Sequence, residues 1–437
     1  MTNVWSNWSG WVKSWPAALL DPTSEEELAA AVRDGIAPIR AAGSGHSFTP
    51  LVESQGTIIS LRNMSGIIDH DDKAQTARIK AGTIIRDLGP LLLDRGMGLV
   101  NQGDIDSQTL AGAVGTGTHG TGGDLGSLST SIESFRLVAA SGEIIHASRE
   151  KNTDIFNAGR VSMGSLGIMS EITMKLCKAY TLEETGGRMP IDEALARVNE
   201  LRDAHRHFEF FWFPYSPDVI VKFLNETEAE ANPREWSTDD DRGETRDEKI
   251  FRFACELSRY LPFLRGQLQN LLTAASGRYL LPAEAAGKAR WSYDAFPSER
   301  HNRFNEMEYA VPAEKGPECL REVGAYMRRC RINFMFPLEY RYVAADDIWL
   351  SPFYERDSVT ISVHQYYRQP YQELFEGAEN IFRRYQGRPH WGKLHTARAA
   401  ELKNLYPRWD DFLKLRSDLD PNGKFLNPYL RDIFGVY

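Results

Sequence analysis

The chain has 437 residues, 42% hydrophobic and 25% charged, with 60 acidic against 51 basic side chains and a net charge of −9. That is more chain than one typical core holds and too apolar for disorder, so two domains, or one large domain with a cap, are expected. The acidic balance argues against a nucleic-acid partner, and Arg328-Arg329 and Arg383-Arg384 read as solvated helix faces.

Nothing at the start pairs a basic flank with an apolar core: Trp5, Trp8, Trp11 and Trp15 alternate with polar residues. No window reaches the roughly 18 apolar residues of a membrane span, so a soluble, cytoplasmic protein without transmembrane association is expected. Cys177, Cys255, Cys319 and Cys330 are widely spaced and lack C-x-x-C, which speaks against a disulfide scaffold.

The run Pro22-Thr23-Ser24-Glu25-Glu26-Glu27 opens a helix, with Thr23 or Ser24 as cap, acids at its positive end and residues 28–32 as its buried side. A strand at 39–42 delivers the chain into Gly43-Ser44-Gly45-His46-Ser47. Strands follow at 58–61 and 77–81, then a helix over 83–97 whose apolar side holds Leu88, Leu91, Leu92 and Leu93. A second glycine-rich run, 112–122, reads as a loop. Strands at 132–138 and 144–145 flank the turn Ser141-Gly142-Glu143, and residues 168–176 close the first part after a small-residue turn at 164–167.

After Leu182 the composition changes. A helix at 191–204 precedes an aromatic strand at 207–213, where period two sends His207, Glu209, Phe211 and Phe213 to one face and Phe208, Phe210 and Trp212 to the other. Residues 233–249 are charged and poor in apolar side chains, as in a surface excursion. Strands at 304–311, 332–342 and 359–366 and helices at 317–331 and 371–385 would form an antiparallel sheet covered by helices on one side.

Glycine alone is weak evidence for nucleotide binding, since tight turns use it too. Gly43 and Gly45 do not form G-x-G-x-x-G, because Phe48 stands two past His46, so a Rossmann cradle is a poor match. Two loops of backbone amides can still surround a pyrophosphate. Asp104 and Asp106 invite a metal or acid–base reading; without a further ligand cluster, ribose, substrate or loop contacts are favoured and no metal is expected. On an extended segment Glu339 and Arg341 share one face, either as an exposed ion pair or as the two charges of a pocket. Neither G-x-S-x-G nor H-E-x-x-H is present.

Taken together, the loop at His46, the run 112–122, Phe336-Pro337-Leu338-Glu339-Tyr340-Arg341-Tyr342, Arg388-Pro389-His390-Trp391-Gly392-Lys393 and the closing segment 420–427 carry a resemblance. The chain resembles FAD-linked oxidases of the vanillyl-alcohol oxidase type, and within them the aldonolactone and alditol oxidases. The resemblance implies an α+β fold: a two-part FAD-binding domain at 1–180, an antiparallel-sheet substrate cap at 181–387, and a C-terminal segment, 388–437, returning to the flavin domain. It implies FAD, covalently joined through His46, held by Gly43, Ser44, Gly45, His46, Ser47, Gly103, Asp104, Gly112, Gly115, Thr116, Gly117, Thr118, His119, Gly120, Gly122, Ile168, His390 and Lys393.

The same resemblance gives Glu339, Arg341, His364 and Lys393 to catalysis, with Lys393 facing the ring region that becomes negative on reduction and Trp391 packing at a ring edge. It implies oxidation of a carbinol on a small polyhydroxylated lactone, with hydride passing to flavin N5 and dioxygen reduced to hydrogen peroxide. Open-chain alditols are the rival substrates, and a lactone dehydrogenase using another acceptor is the rival activity. Asp104 stands near the place where alditol oxidases offer a serine, which tempers the alditol reading. Gly103 would leave space beside the ring, the basis for preferring dioxygen. A flavin-binding protein without catalysis is the non-enzymatic alternative.

Overall fold

The first helix, Glu25–Asp34, is capped as its sequence requires. Ser24 Oγ accepts from the Glu27 amide at 3.2 Å, and the Thr23 amide and hydroxyl donate to the Glu27 carboxylate at 2.8 Å each. Leu28, Ala29 and Val32 then bury the inner face. The computed structural model describes residues 4–232, 246–275, 289–297, 302–329 and 332–436.

Strands Ala18–Leu20 and Ile39–Ala42 flank Thr57–Ser60 in a parallel three-stranded sheet. Beside it lies an antiparallel five-stranded sheet in the order Ile144–Ser148, Ile132–Val138, Ile168–Lys175, Thr76–Lys80, Ile67–Asp71. One core joins both sheets and takes in Phe425, Leu430 and Phe434 from the chain end. The tail therefore returns to the first part, as expected. Asn427 fixes it, donating to the Pro50 and Glu53 carbonyls at 2.8 Å each while capping its own helix, Pro428–Phe434.

Arg40 ties these pieces together. Its fully buried guanidinium donates to the carbonyls of Leu51 (2.6 Å), Met163 (2.5 Å), Gly164 (3.1 Å) and Phe425 (2.7 Å). Burial lowers its pKa only to about 10, so it is charged at neutral pH. Arg40→Met is expected to leave these acceptors without a partner and to lower unfolding stability by about 3 kcal/mol or more, read from chemical denaturation.

The remainder is built on an eight-stranded antiparallel sheet, ordered Ala289–Trp291, Thr181–Pro190, Asp218–Thr227, His207–Trp212, Leu338–Val343, Ser358–Tyr366, Phe304–Pro312, Arg388–Pro389. Phe208, Phe210, Trp212, Met307, Tyr309 and Tyr340 share a core with Leu320 and Val323 of helix Gly316–Arg329 and Phe375 and Phe382 of helix Gln372–Arg384. Alternation then sends Glu209, Glu306, Glu308, Glu339, Arg341 and His364 to the opposite face.

Several expected elements are corrected. The helix at 83–97 contracts to Ile85–Leu93, because the Thr83 side chain closes a turn between Gly66 and Lys80 and residues 97–98 pair with Cys177–Lys178. The helix at 191–204 breaks at Arg197 into Ile191–Ala196 and Val198–Ala204. The strand at 332–342 begins only at Leu338, since Pro337 lacks an amide for the ladder. Part of the second glycine run is helical, Leu110–Thr116, because Leu110, Ala113 and Val114 recur at helical spacing and bury together. Residues 246–249 begin a helix, Arg246–Tyr260, while 233–245 of the charged excursion and Cys330 lie outside the described residues. Cys177, Cys255 and Cys319 are free thiols. Among the described residues no helix is long and apolar enough to cross a membrane.

Candidate active site

Register places the polar face. Glu209 sits opposite Arg341, Glu339 opposite Ser362, Ser362 opposite Glu308, and His364 opposite Glu306. Four neighbouring strands thus bring acids and bases together that lie far apart in sequence. Three of these strands, Leu338–Val343, Ser358–Tyr366 and Phe304–Pro312, wall a cleft whose other side carries His46, Ser47, Gly103, Asp104, Thr116, Thr118, His119, His390 and Lys393.

Arg341 is the hub. It donates to Glu209 and to Asp104 at 2.7 Å each, and to Glu339. Burial pushes the Glu339 carboxyl up to about 7, against the pull of Arg341 and with help from the charges of Asp104 and Glu209. His364 donates from Nδ1 to the Pro337 carbonyl at 3.3 Å, stacks on Phe336, and faces Glu306 through Nε2 at 3.4 Å. Lys393 is ion-paired with Glu306 and lies over the Phe48 ring, 5.4 Å from its centroid. Burial opposes charge on Glu306, yet Lys393 and His364 hold its carboxyl well below the usual range.

Behind this row, His119 uses both ring nitrogens: Nδ1 meets the Gly120 carbonyl at 2.8 Å and Nε2 meets Glu308 at 2.6 Å. Ser362 donates to Glu308 at 2.8 Å, and His390 Nδ1 accepts from the Gly392 amide at 3.1 Å. Burial lowers His390 to about 4. Potential ligand atoms of His119, Glu308 and His390 lie within 4.8 Å of one another. Both His119 nitrogens and His390 Nδ1 are already committed to hydrogen bonds, so the group reads as a hydrogen-bonded cluster holding the 119–120 backbone against the cap.

The first glycine loop is bound to the lysine motif. The Phe48 amide donates to the Gly392 carbonyl at 2.7 Å, and Thr49 Oγ1 donates to the Trp391 carbonyl at 3.1 Å. Trp391 itself departs from its expected place at a ring edge. It is buried, donates to the Leu350 carbonyl at 2.6 Å and stacks on Tyr406, because a large indole on this side fills the core.

His46 meets Ser107 Oγ through Nε2 at 2.8 Å and lies under Trp8, ring centroids 5.7 Å apart. Burial, then the charges of Lys393 and Arg86, lower its pKa to about 4, so at neutral pH it is an uncharged imidazole with a nucleophilic lone pair. Gly43 passes so close to Thr109 that a Cβ would stand 2.2 Å from its hydroxyl, which docks the first loop on the start of helix Leu110–Thr116. Gly45 needs its freedom, with φ at +73°.

An FAD fits these features. Gly112 and Gly115, one turn apart, leave a helix face without side chains: a Cβ at Gly115 would meet nothing within 4 Å, and one at Gly112 only Thr109. That bare backbone, outside the cleft lining itself, leaves room for a dinucleotide, and the neutral His46 and the ammonium of Lys393 would suit an electrophilic ring that becomes negative on reduction. Gly43, Ser44 and Gly45 lie on the loop leading to the cleft. Gly117 caps the helix in a left-handed turn, the Gly122 amide donates to the Tyr342 carbonyl at 3.0 Å, and Ile168 is buried at a strand start; these three do not line the cleft. Gly120 lines a smaller compartment behind Arg341.

Gly103 lines the cleft, but a Cβ on it would stand 2.9 Å from the His119 carbonyl. Its missing side chain makes room for that carbonyl while its backbone faces the cleft. Gly103→Ala is expected to lower unfolding stability by about 1–3 kcal/mol through forced backbone movement, as seen by thermal denaturation.

Sequence reasoning missed Glu306 and Glu308 as members of the site. Their signal was present: two acids on alternate positions of a largely apolar strand, Phe304–Pro312, that is wholly buried.

Known proteins align with this arrangement. The profile described as D-arabinono-1,4-lactone oxidase matches residues 172–433, and that of an FAD binding domain matches residues 16–148. An L-gulono-1,4-lactone dehydrogenase from Mycobacterium tuberculosis is 37% identical, with 100% of both chains covered. An L-gulonolactone oxidase from Mus musculus is 29% identical over 98% of this chain and 97% of its own. A crystal structure of cholesterol oxidase from B. sterolicum shares the fold, with a TM-score of 0.83 at 15% identity over 99% of this chain and 97% of that one.

Proposed function

The chain belongs to the D-arabinono-1,4-lactone oxidase family and carries an FAD-binding domain, and on that premise we propose that it oxidises a carbinol carbon of an aldonolactone with dioxygen as electron acceptor. In support, Glu339, Arg341, His364 and Lys393 line one cleft with His46 and with Thr116, the last residue of helix Leu110–Thr116. We assign 1–180 to FAD, 181–387 to the substrate and 388–437 to the returning segment.

Bound FAD would supply the hydride acceptor for the carbinol carbon and the reductant for dioxygen, with hydrogen peroxide as the second product. Gly43, Ser44, Gly45, the Gly112–Gly115 face, Thr116 and Thr118 would hold it, with His46 attached to the ring. The chain does the rest. Glu339 accepts the substrate hydroxyl proton at a carboxylate oxygen while Arg341, fixed by Asp104 and Glu209, orients the oxygen that becomes a carbonyl. His364 borders the substrate beside Glu306. Lys393 provides the positive charge that accommodates the arriving electrons. The aromatic wall of Trp8, Phe48 and Phe304 excludes water from the reacting carbon.

Anaerobic flavin bleaching with a panel of aldonolactones and alditols tests the substrate class; preference for alditols, or no bleaching at all, would replace it with the polyol or the non-catalytic reading. Exposure to air then tests the acceptor. Slow recovery in air with fast reduction of an artificial dye would substitute a dehydrogenase, the activity named for the M. tuberculosis relative.

Covalent attachment at His46 makes a separate prediction. Purified protein should stay yellow after acid precipitation and carry the mass of one FAD, and His46→Ala should release the colour on denaturation; an unmodified native mass removes the linkage.

A further inference from the structure

Behind Arg341 lies a second polar compartment, which shares Arg341 and Asp104 with the main cleft and is lined further by His207, Glu209 and Lys222 among others. Neither Glu209 nor Lys222 lines the main cleft. Both are buried, and they pair at 3.2 Å across neighbouring strands. His207 turns Nδ1 to the Thr121 carbonyl at 2.8 Å, which leaves Nε2, buried and without a hydrogen-bond partner among the described residues, on this compartment.

The charges around Glu339 do not cancel. Carboxyl oxygens of Asp104 and Glu209 lie within 4.8 Å of those of Glu339 on one side, and those of Glu306 with His364 do so on the other. Glu306 is paired with Lys393, Glu209 with both Arg341 and Lys222, and Glu184 with Arg290 at 2.7 Å. Five carboxyl groups, Asp104, Glu184, Glu209, Glu306 and Glu339, therefore face four cations, Lys222, Arg290, Arg341 and Lys393. Carboxyl groups thus outnumber cations here, and because a buried charge without a counter-charge is costly, the share of each cation that reaches Glu339 governs its proton. Glu308 beside it is bonded to His119 and Ser362.

We propose that the Glu209–Lys222 pair is a positioning element that sets the pH at which Glu339 gains and loses its proton, acting through Arg341 without touching substrate or cofactor. The proposal rests on Glu339 being the proton acceptor. Arg341 gives its Nε–H to Glu209 and one Nη to both Asp104 and Glu339, so Glu209 acts on Glu339 by its own charge and by holding the guanidinium in place, not by taking a donor from it. Lys222 in turn neutralises part of the Glu209 charge and limits that influence. Burial remains the largest influence on the Glu339 carboxyl, and the pair modulates it.

The two residues then act with opposite sign. Glu209→Gln removes a like charge, so the midpoint of Glu339 should move to lower pH by about one unit. Lys222→Met leaves Glu209 to draw on Arg341 for its counter-charge and should move the midpoint to higher pH by a similar amount. The double variant restores the balance and should return the midpoint close to that of the native protein.

The measurement is an infrared titration of the oxidised holoenzyme without substrate, following the protonated-carboxyl band that disappears in Glu339→Gln, together with the pH profile of flavin reduction. Opposite displacements of the singles and recovery in the double support the proposal. Coincident midpoints in all variants, with only rates reduced, would overturn it and leave Glu209 and Lys222 as packing. Full-speed reduction in Glu339→Gln would instead remove that residue as proton acceptor, a failure of the mechanism that the infrared titration tells apart from failure of the pair.

Discussion

Lys393→Met is expected to slow anaerobic flavin reduction by about 10²–10³-fold, the usual effect of deleting one preorganised electrostatic partner of a developing charge. Its ammonium is presented by the turn after His390, where the Lys393 amide donates to the His390 carbonyl at 3.0 Å, and the first glycine loop grips the preceding residue. Methionine keeps the length and apolar stem, so contact with Phe48 survives while the charge is lost. Glu306 would be left in the protein interior with only His364 opposite it, and its carboxyl should rise from its depressed value and take up a proton near neutral pH. A loss of stability is therefore expected too. The double variant Lys393→Met/Glu306→Gln removes that stranded charge: it should recover thermal stability but not the reduction rate. Recovery of rate along with stability would assign Lys393 to structure alone.

Local features were readable wherever the chemistry was local. Ser24 and Glu27 cap a helix within one turn, the alternation of 207–213 sends Phe208, Phe210 and Trp212 to one core, and the i,i+2 spacing of Glu339 and Arg341 puts both on one face. The site as a whole was not readable, because its decisive contacts cross strands whose pairing no short pattern encodes. Glu209 meets Arg341 over 132 positions of chain, and His119 meets Glu308 over 189. The family resemblance supplied Glu339, Arg341, His364 and Lys393 but was silent on the acids that neutralise them. Glycine also misled: Gly112 and Gly115 looked like loop residues, although Leu110, Ala113 and Val114 already carried a helical period. At Gly103 the missing side chain makes room for a backbone carbonyl of the protein itself.

Glu339→Gln should lower the rate of flavin reduction by about 10²–10⁴-fold, the range for loss of a positioned general base. Glutamine preserves size and can still accept from Arg341, so the pocket keeps its shape while the proton acceptor is gone. The pH dependence gives the sharper check. Burial holds the native carboxyl at about 7, well above its value of 4.5 in water. Below that midpoint Glu339 already carries a proton and cannot take another, so reduction by the native protein should rise with pH through about 7 and level off above it; in Glu339→Gln that limb should vanish. The same group acts on stability with its own sign. Its pKa is higher folded than unfolded, so the folded state binds the extra proton between the two values and is favoured at lower pH within that window, losing the contribution as pH climbs through the folded midpoint. Native protein should therefore be less stable at pH 8 than at pH 6 by an increment that Glu339→Gln abolishes, while its catalysis runs the other way, fastest where Glu339 is charged. A group buried for packing alone would show the stability increment without the rising limb in the reduction rate.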